Sequence, residues 1–376
     1  MLIDEILTLD SIFEYEKEVK KKRNTEVVNI SYWNTGKKYQ DYMLKYINLS
    51  SNLDIFDYKY TYDIPKDIRN EIVKNMTGYT INNVMCILLS SSTCSITNMI
   101  NYLKQNNIEK LCILTPSYFS VEHNCKITNL YYKKKQLDFV NGSYAIPYNY
   151  IIENDFDSVW ITSPTYSTSV VFDDSQINII KKLINKKILV IADETLALPG
   201  QELTKKIPIN DYFYSIQSPH KPLFINSIKF SVILCPKKND DFFEQWIDII
   251  GGSLLHSNVM AISHFLSSNY SLCTERCIEW YNNNINCIES ILNVIPDAYC
   301  NTNDIGAYKT IYIKESACNW HKFNNVKQLI DTQYVSYIPN KIVSSTGDIY
   351  NCFRVNMSLE LEIIKNSLKK IFAYYD

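Results

Sequence analysis

This 376-residue chain is poor in glycine, with eight, and in arginine, with only Arg23, Arg69, Arg276 and Arg354. It has almost no net charge, −2 at neutral pH, so no basic field speaks for nucleic acid or an anionic membrane surface. No run of about 18 apolar residues suggests a membrane span. The start, Met1-Leu-Ile-Asp-Glu, lacks the cationic and then apolar pattern of a secretory signal. Five dispersed histidines without ligand spacing argue against a structural metal. Internal repeats and low-complexity linkers are also missing.

What is present is an ordinary globular balance, 46% hydrophobic and 21% charged residues. Eleven cysteines would be a disulfide framework in a small secreted protein. Here the number is odd and they lie in apolar stretches such as Met85-Cys-Ile87 and Leu111-Cys-Ile113, with Cys273 and Cys277 the one close pair. That usage fits reduced, buried thiols and a cytoplasmic enzyme.

Between residues 84 and 235 short apolar runs alternate with amphipathic ones. Strands are expected at Val84–Leu89, Lys110–Thr115, Ser158–Thr162, Ile188–Ala192, Tyr212–Ile216 and Ile228–Cys235, and helices at Ser95–Leu103 and Asp173–Asn185. This pattern predicts an α/β fold, a mainly parallel central sheet with helices on both faces. The ends differ. Residues 12–23, 258–292, 323–332 and 359–374 read as helices, and 27–31, 308–313 and 352–357 as extended or strand segments. The expected organisation is a large domain over 49–257 and a smaller α+β domain from 1–48 and 258–376.

Ligands of such sheets bind beyond the carboxyl ends of the strands. Two chemically distinctive groups fall there. Asp193 ends the run Ile188-Leu-Val-Ile-Ala192, and Lys221 follows Tyr212-Phe-Tyr-Ser-Ile216, with Ser218 three residues before it and Lys229 eight after it. An amine for a Schiff base, an acid for a ring nitrogen, and hydroxyls and cations for a phosphate are what pyridoxal phosphate requires.

These pieces resemble the fold-type I pyridoxal-phosphate enzymes, the aspartate-aminotransferase superfamily, over roughly residues 30–375. Ser90-Ser-Ser-Thr-Cys-Ser-Ile96 resembles the family's phosphate loop at a helix N-terminus, with Ser91 where glycine is frequent. Pro116-Ser-Tyr118 is similar to the segment whose ring stacks on the pyridine. Ser163-Pro-Thr-Tyr-Ser-Thr-Ser169 sits where the family has Asn-Pro-x-Asn-Pro-Thr-Gly, which puts Tyr166 in place of the asparagine on the phenolic oxygen. Ile191-Ala-Asp193 resembles the acid opposite the pyridinium, and Leu196 stands where a tyrosine is frequent. Ser218-Pro-His-Lys221 resembles the Schiff-base segment, and Lys229 replaces a phosphate-binding arginine. Cys352-Phe-Arg354 resembles the strand whose arginine binds the substrate α-carboxylate in two-pronged fashion.

The resemblance implies a homodimer with shared sites, an amino-acid substrate, and no nucleic-acid or membrane partner. Lys221 and Asp193 would be catalytic. Ser91, Ser92, Thr93, Tyr118, Tyr166, Ser218 and Lys229 would bind cofactor, and Arg354 substrate. Tyr60, or Tyr58 or Tyr62, ahead of Arg69, would reach the partner's phosphate. Transamination is the expected reaction. The alternatives are decarboxylation, an oxidase, cyclase or lyase on the same scaffold, and a non-catalytic relative, against which the joint presence of Lys221 and Asp193 speaks.

Overall fold

A computed structural model describes residues 2–47, 74, 84–140, 142–226, 229–239, 261, 264–301, 304–317 and 325–375. The chain divides into two units: one of 43–138 and 144–277, the other of 1–42, 139–143 and 278–376.

The first unit holds a seven-stranded sheet. Its strands are β1 (Val84–Leu89), β2 (Lys110–Thr115), β3 (Tyr131–Gln136), β4 (Ser158–Thr162), β5 (Leu189–Glu194), β6 (Phe213–Gln217) and β7 (Ser231–Pro236). They lie in the order β1-β7-β6-β5-β4-β2-β3. Only β7 runs against its neighbours, pairing antiparallel with β1 and with β6. Every residue of β4, β5, β6 and β7 is buried, which is why they read as unbroken apolar runs. The edge strand β3, Tyr-Tyr-Lys-Lys-Lys-Gln, is largely exposed. It carries no apolar run, so periodicity missed it, and its lysines blunt an unpaired edge.

Three helices between these strands support the strand ends: α1 (Ser92–Gln105), α2 (Phe119–Thr128) and α3 (Asp174–Asn185). α1 starts three residues before the sequence expectation, because Ser91 is its N-cap, with Oγ accepting from Cys94 N at 3.2 Å. It packs Ile96, Met99, Ile100 and Leu103 into a core shared with Ile113, Trp160, Ile191 and Ile216. α3 is capped by Asp173, whose Oδ1 accepts from Gln176 N at 3.0 Å. It buries Ile177, Ile180 and Leu183.

The second unit is α+β. Its sheet has strands β8 (Ala298–Cys300), β9 (Tyr308–Lys314), β10 (Pro339–Val343) and β11 (Ile349–Asn356), all antiparallel, in the order β8-β9-β11-β10. β11 begins three residues before the strand expected at 352, since Ile349 already pairs with Val343. The N-terminal helix covers Leu2–Arg23, longer than expected, and residues 28–29 pair in parallel with 335–336. The helix expected over 258–292 is described as Tyr270–Leu292, preceded by a π-turn at Phe265–Asn269. Among the described residues ten cysteines are outside any disulfide, eight of them buried. Among the described residues no helix is long and apolar enough to cross a membrane.

The α3 cap supplies a direct check. Asp173→Ala should lower stability by about 1 kcal/mol, and Asp173→Asn by much less, since asparagine also caps. Urea unfolding of the three proteins measures this.

Candidate active site

β5 carries two acids at its carboxyl end, and the alternation of a strand sends them to opposite faces. Asp193 lies in register with Thr162 of β4 and Ile216 of β6. It is 1% exposed, and its Oδ1 accepts from Thr195 N at 3.2 Å. Burial pushes its pKa up, while Thr195 and the nearby Lys221 pull it down. Glu194 was not singled out in the sequence. Its carboxyl accepts from Ser215 Oγ, from Leu203 N and, at 3.2 Å, from Gln217 Nε2. Burial, opposed mainly by Ser215, pushes it up to about 8. It lines a small cleft with Glu202, Gln217, Ser218 and Tyr270.

Lys221 sits in a tight turn after β6. Lys221 N donates to Ser218 O (2.9 Å), Phe224 N to Lys221 O (3.1 Å) and Ile225 N to His220 O (3.1 Å). Phe224 closes the turn at φ +55°, a conformation that bulky side chains rarely adopt and that costs on the order of 1–3 kcal/mol. The turn aims the amine at α1: Lys221 Nζ donates to Ser92 Oγ at 3.0 Å and lies 5.5 Å from the centre of the Tyr118 ring. Burial lowers the amine's pKa, Asp193 raises it and Lys229 lowers it.

The first turn of α1 hands its hydroxyls to three targets. Ser91 caps the helix, Ser92 accepts from Lys221, and Thr93 lies near the phenol of Tyr118 and lowers its pKa. Tyr118 is the N-cap residue of α2, and its ring centre is 5.9 Å from that of Tyr166. Tyr166 occupies a turn in which Ser167 and Ser169 both take left-handed backbone, φ +63° and +64°. The peptides Thr115–Pro116 and Ser163–Pro164 are cis. Lys229 is exposed, and its charge is felt by both Lys221 and His220.

Sequence reasoning named Ser218 but missed four further buried hydroxyls. Oγ of Ser117 after β2, Oγ1 of Thr162 at the end of β4, Oγ of Ser163 and Oγ1 of Thr165 just beyond it, and Oγ of Ser218 after β6 have no hydrogen-bond partner among the described residues. Buried hydroxyls are normally paired, so five orphans at the carboxyl ends of three strands mark a place for a polar ligand. In sequence the four besides Ser218 are ordinary serines and threonines, distinguished only by their place at or just beyond strand ends.

Arg354 lies in the other unit, on β11. Its Nε donates to Ser31 O at 2.9 Å, and its guanidinium lies 4.5 Å from the centre of the Tyr308 ring. Tyr308 also packs against Trp33, with ring centres 5.2 Å apart. Tyr58, Tyr60, Tyr62 and Arg69 lie outside the described residues. Among the described residues no group of three or more His, Cys, Asp or Glu side chains is placed to hold a metal ion.

No protein-family model matches the chain, and no curated protein matches it in sequence. Solved structures do match. An aspartate aminotransferase from Thermotoga maritima is 12% identical with a TM-score of 0.71, covering 98% of this chain and 96% of the other. A protein from Escherichia coli with a methionine aminotransferase function is 11% identical, TM-score 0.71, with 96% of each chain covered. A pyridoxal-phosphate-bound C–S lyase from Staphylococcus hominis is 16% identical, TM-score 0.69, covering 93% and 89%. The chain therefore has the fold of the fold-type I pyridoxal-phosphate enzymes.

Beside Lys221, His220 is buried, its Nδ1 has no hydrogen-bond partner, and its ring packs on Phe230 at 5.3 Å. Burial, with Lys221 and Lys229 adding to it, pushes its pKa down from 6.5 to about 3. Between those values the unfolded chain binds a proton that the folded chain refuses, so stability falls as pH drops below about 6.5. At pH 4.5 the cost is roughly 2–3 kcal/mol. His220→Phe should remove it, and its urea midpoint should fall less between pH 7 and 4.5 than that of the parent chain.

Proposed function

We propose that this chain is a pyridoxal-phosphate-dependent enzyme acting on an amino acid, with transamination as its reaction. The observation that carries the proposal is Lys221. The residue is half-buried, and at the mouth of a parallel sheet its amine lies between a serine at a helix N-terminus and an aromatic ring, and within the field of a buried acid.

The donor set fits the cofactor. A buried carboxyl whose pKa stays raised despite the nearby Lys221 has too little positive charge around it, and a protonated ring nitrogen opposite Asp193 would supply more. The N–H groups opening α1, the orphan Ser218 hydroxyl and the Lys229 ammonium suit a phosphate. Tyr118 offers a face for the ring, and Tyr166 an O–H for the phenolic oxygen. When bound, the cofactor supplies an electron sink for the carbanion at the substrate's α-carbon.

The protein's own part is to place charge and protons. Burial favours the neutral, nucleophilic form of Lys221. The same amine, once released, is the base that takes the α-proton and can return it elsewhere. Asp193 stays ionised opposite a cation and so holds the ring nitrogen protonated. Arg354, its guanidinium plane fixed by Ser31 and Tyr308, would grip the α-carboxylate through its terminal nitrogens. A homodimer completed by Tyr58 or Tyr60 and a cytoplasmic location belong to the same proposal. β-Elimination is the second reading, favoured by the C–S lyase among the structural neighbours.

Incubating the purified chain and cofactor with single amino acids, with and without a keto acid, separates the two by product mass. Transamination needs the keto acid. Elimination releases a keto acid and ammonia without it. Borohydride should fix the cofactor to Lys221 and leave Lys221→Ala unlabelled, and a label persisting in that variant would exclude the assignment. Asp193→Ala should reduce turnover by orders of magnitude while the cofactor is still retained. Arg354→Lys keeps the charge but loses the fork. It should weaken amino-acid binding by about 1.5–3 kcal/mol, from ten- to over a hundredfold, while binding of an amine without a carboxylate changes little.

A further inference from the structure

We propose that Ser92 acts on Lys221 itself, orienting its amine for attack, and is not simply one more hydroxyl of the phosphate seat. The inference rests on the functional reading above but not on the way the phosphate is held.

The geometry separates three hydroxyls that are adjacent in sequence. Ser91 Oγ is turned to the helix, accepting from Cys94 N. Thr93 is exposed and lies beside the phenol of Tyr118. Ser92, buried in the first turn of α1, is the hydroxyl that meets the amine, at 3.0 Å. Lys221 has four rotatable bonds in its side chain. Asp193 acts on the amine through charge and the Tyr118 ring through its face, and neither fixes where the nitrogen lone pair points. A hydrogen bond to a hydroxyl on a rigid helix does. By accepting from Nζ it spends an N–H of the amine in a defined direction and leaves the lone pair on another side. Ser92 keeps its own O–H, so holding the amine does not prevent it from also donating to an anion.

The same contact has an electrostatic sign. An accepting hydroxyl stabilises the ammonium more than the amine, so it offsets part of the depression that burial imposes on Lys221. Removing it lowers the pKa of the amine further and loosens its orientation. Attack on an aldehyde then meets a more disordered nucleophile. In that step Nζ forms a bond to the carbonyl carbon and the carbonyl oxygen leaves as water, its two hydrogens drawn from the amine.

The test compares pyridoxal phosphate with pyridoxal, which has the same aldehyde and ring but no phosphate, on the cofactor-free full chain. The rate of borohydride-fixed adduct at Lys221 is followed by peptide mass spectrometry in the parent, Ser92→Ala and Ser92→Thr. Loss of the serine hydroxyl should slow both aldehydes by a similar factor, about tenfold. Threonine should restore both rates. Slowing of pyridoxal phosphate alone would overturn the inference, because Ser92 would then be a phosphate ligand only, and so would unchanged rates for both. If the parent chain forms no adduct at Lys221, it is the functional reading that fails. The positioning role is still decided by a second measurement, the pH dependence of cyanate modification at Lys221. The inflection should move to lower pH in Ser92→Ala and return in Ser92→Thr, and an unmoved inflection would overturn the role.

Discussion

The controlling constraint in this structure is the burial of two opposite charges where the sheet ends. Asp193 is fully buried and Lys221 half-buried, and loss of solvent drives each toward its neutral form. Their mutual attraction offsets only part of that cost. A fold can carry such a pair if the surroundings are rigid and unable to collapse onto it. Here the rigidity comes from β4, β5 and β6, buried over their whole length, with α1 packed across them. Relaxing the pair by rearrangement would mean moving core. The favourable way to relieve it is a ligand with a positive edge for the acid and an electrophile for the amine.

The fold was legible where burial and sequence pattern coincide. Strands covered on both faces show as runs such as Ser158–Thr162 or Leu189–Glu194, and their order along the chain fixes the α/β class. β3 escaped because an edge strand of tyrosine and lysine carries no such run, and helix starts were misplaced where the first turn is polar, as at Ser92. Asp193 and Lys221 stand out in the sequence because both are chemically conspicuous and both fall just past apolar runs; in the structure Asp193 is the penultimate residue of β5 and Lys221 lies in the turn after β6. The orphan hydroxyls of Ser117, Thr162, Ser163 and Thr165 were not, since being unpaired is a property of three-dimensional surroundings. Glu194 was hidden in another way. A second acid beside Asp193 looks redundant until the pleat turns it to the other face, where Ser215 and Gln217 hold it.

The adjacent acids also show how one strand end serves two purposes. Asp193 accepts from Thr195, two residues along the chain, and burial still holds its pKa up. Glu194 accepts from three donors on β6 and the 203 segment and ties the strand end together. The same division holds in the α+β unit. There Ser31 and Tyr308 fix the plane of Arg354, while Asn356 on the same strand pins the backbone of residues 32 and 34 beside it. In both units a reactive group stands next to a residue that makes its position repeatable.

The reversal of β7 has a kinetic side. Because it runs against β6, the chain leaves β6, forms the Lys221 turn and comes straight back as a hairpin, with no crossover helix between. Ser231 at the start of β7 donates to Gln217 O at 3.0 Å, and Ser95 of α1 donates to Ser231 at 2.9 Å. Of these contacts the one from Ser231 to Gln217 is close in sequence, the kind that forms quickly because little loop entropy is lost, whereas Ser95 joins from far along the chain. The acid, the aromatic face and the hydroxyls reach Lys221 only through parallel pairings and helix packing across long stretches of chain. During folding, the lysine's loop can be shaped while the rest of its pocket is still being assembled.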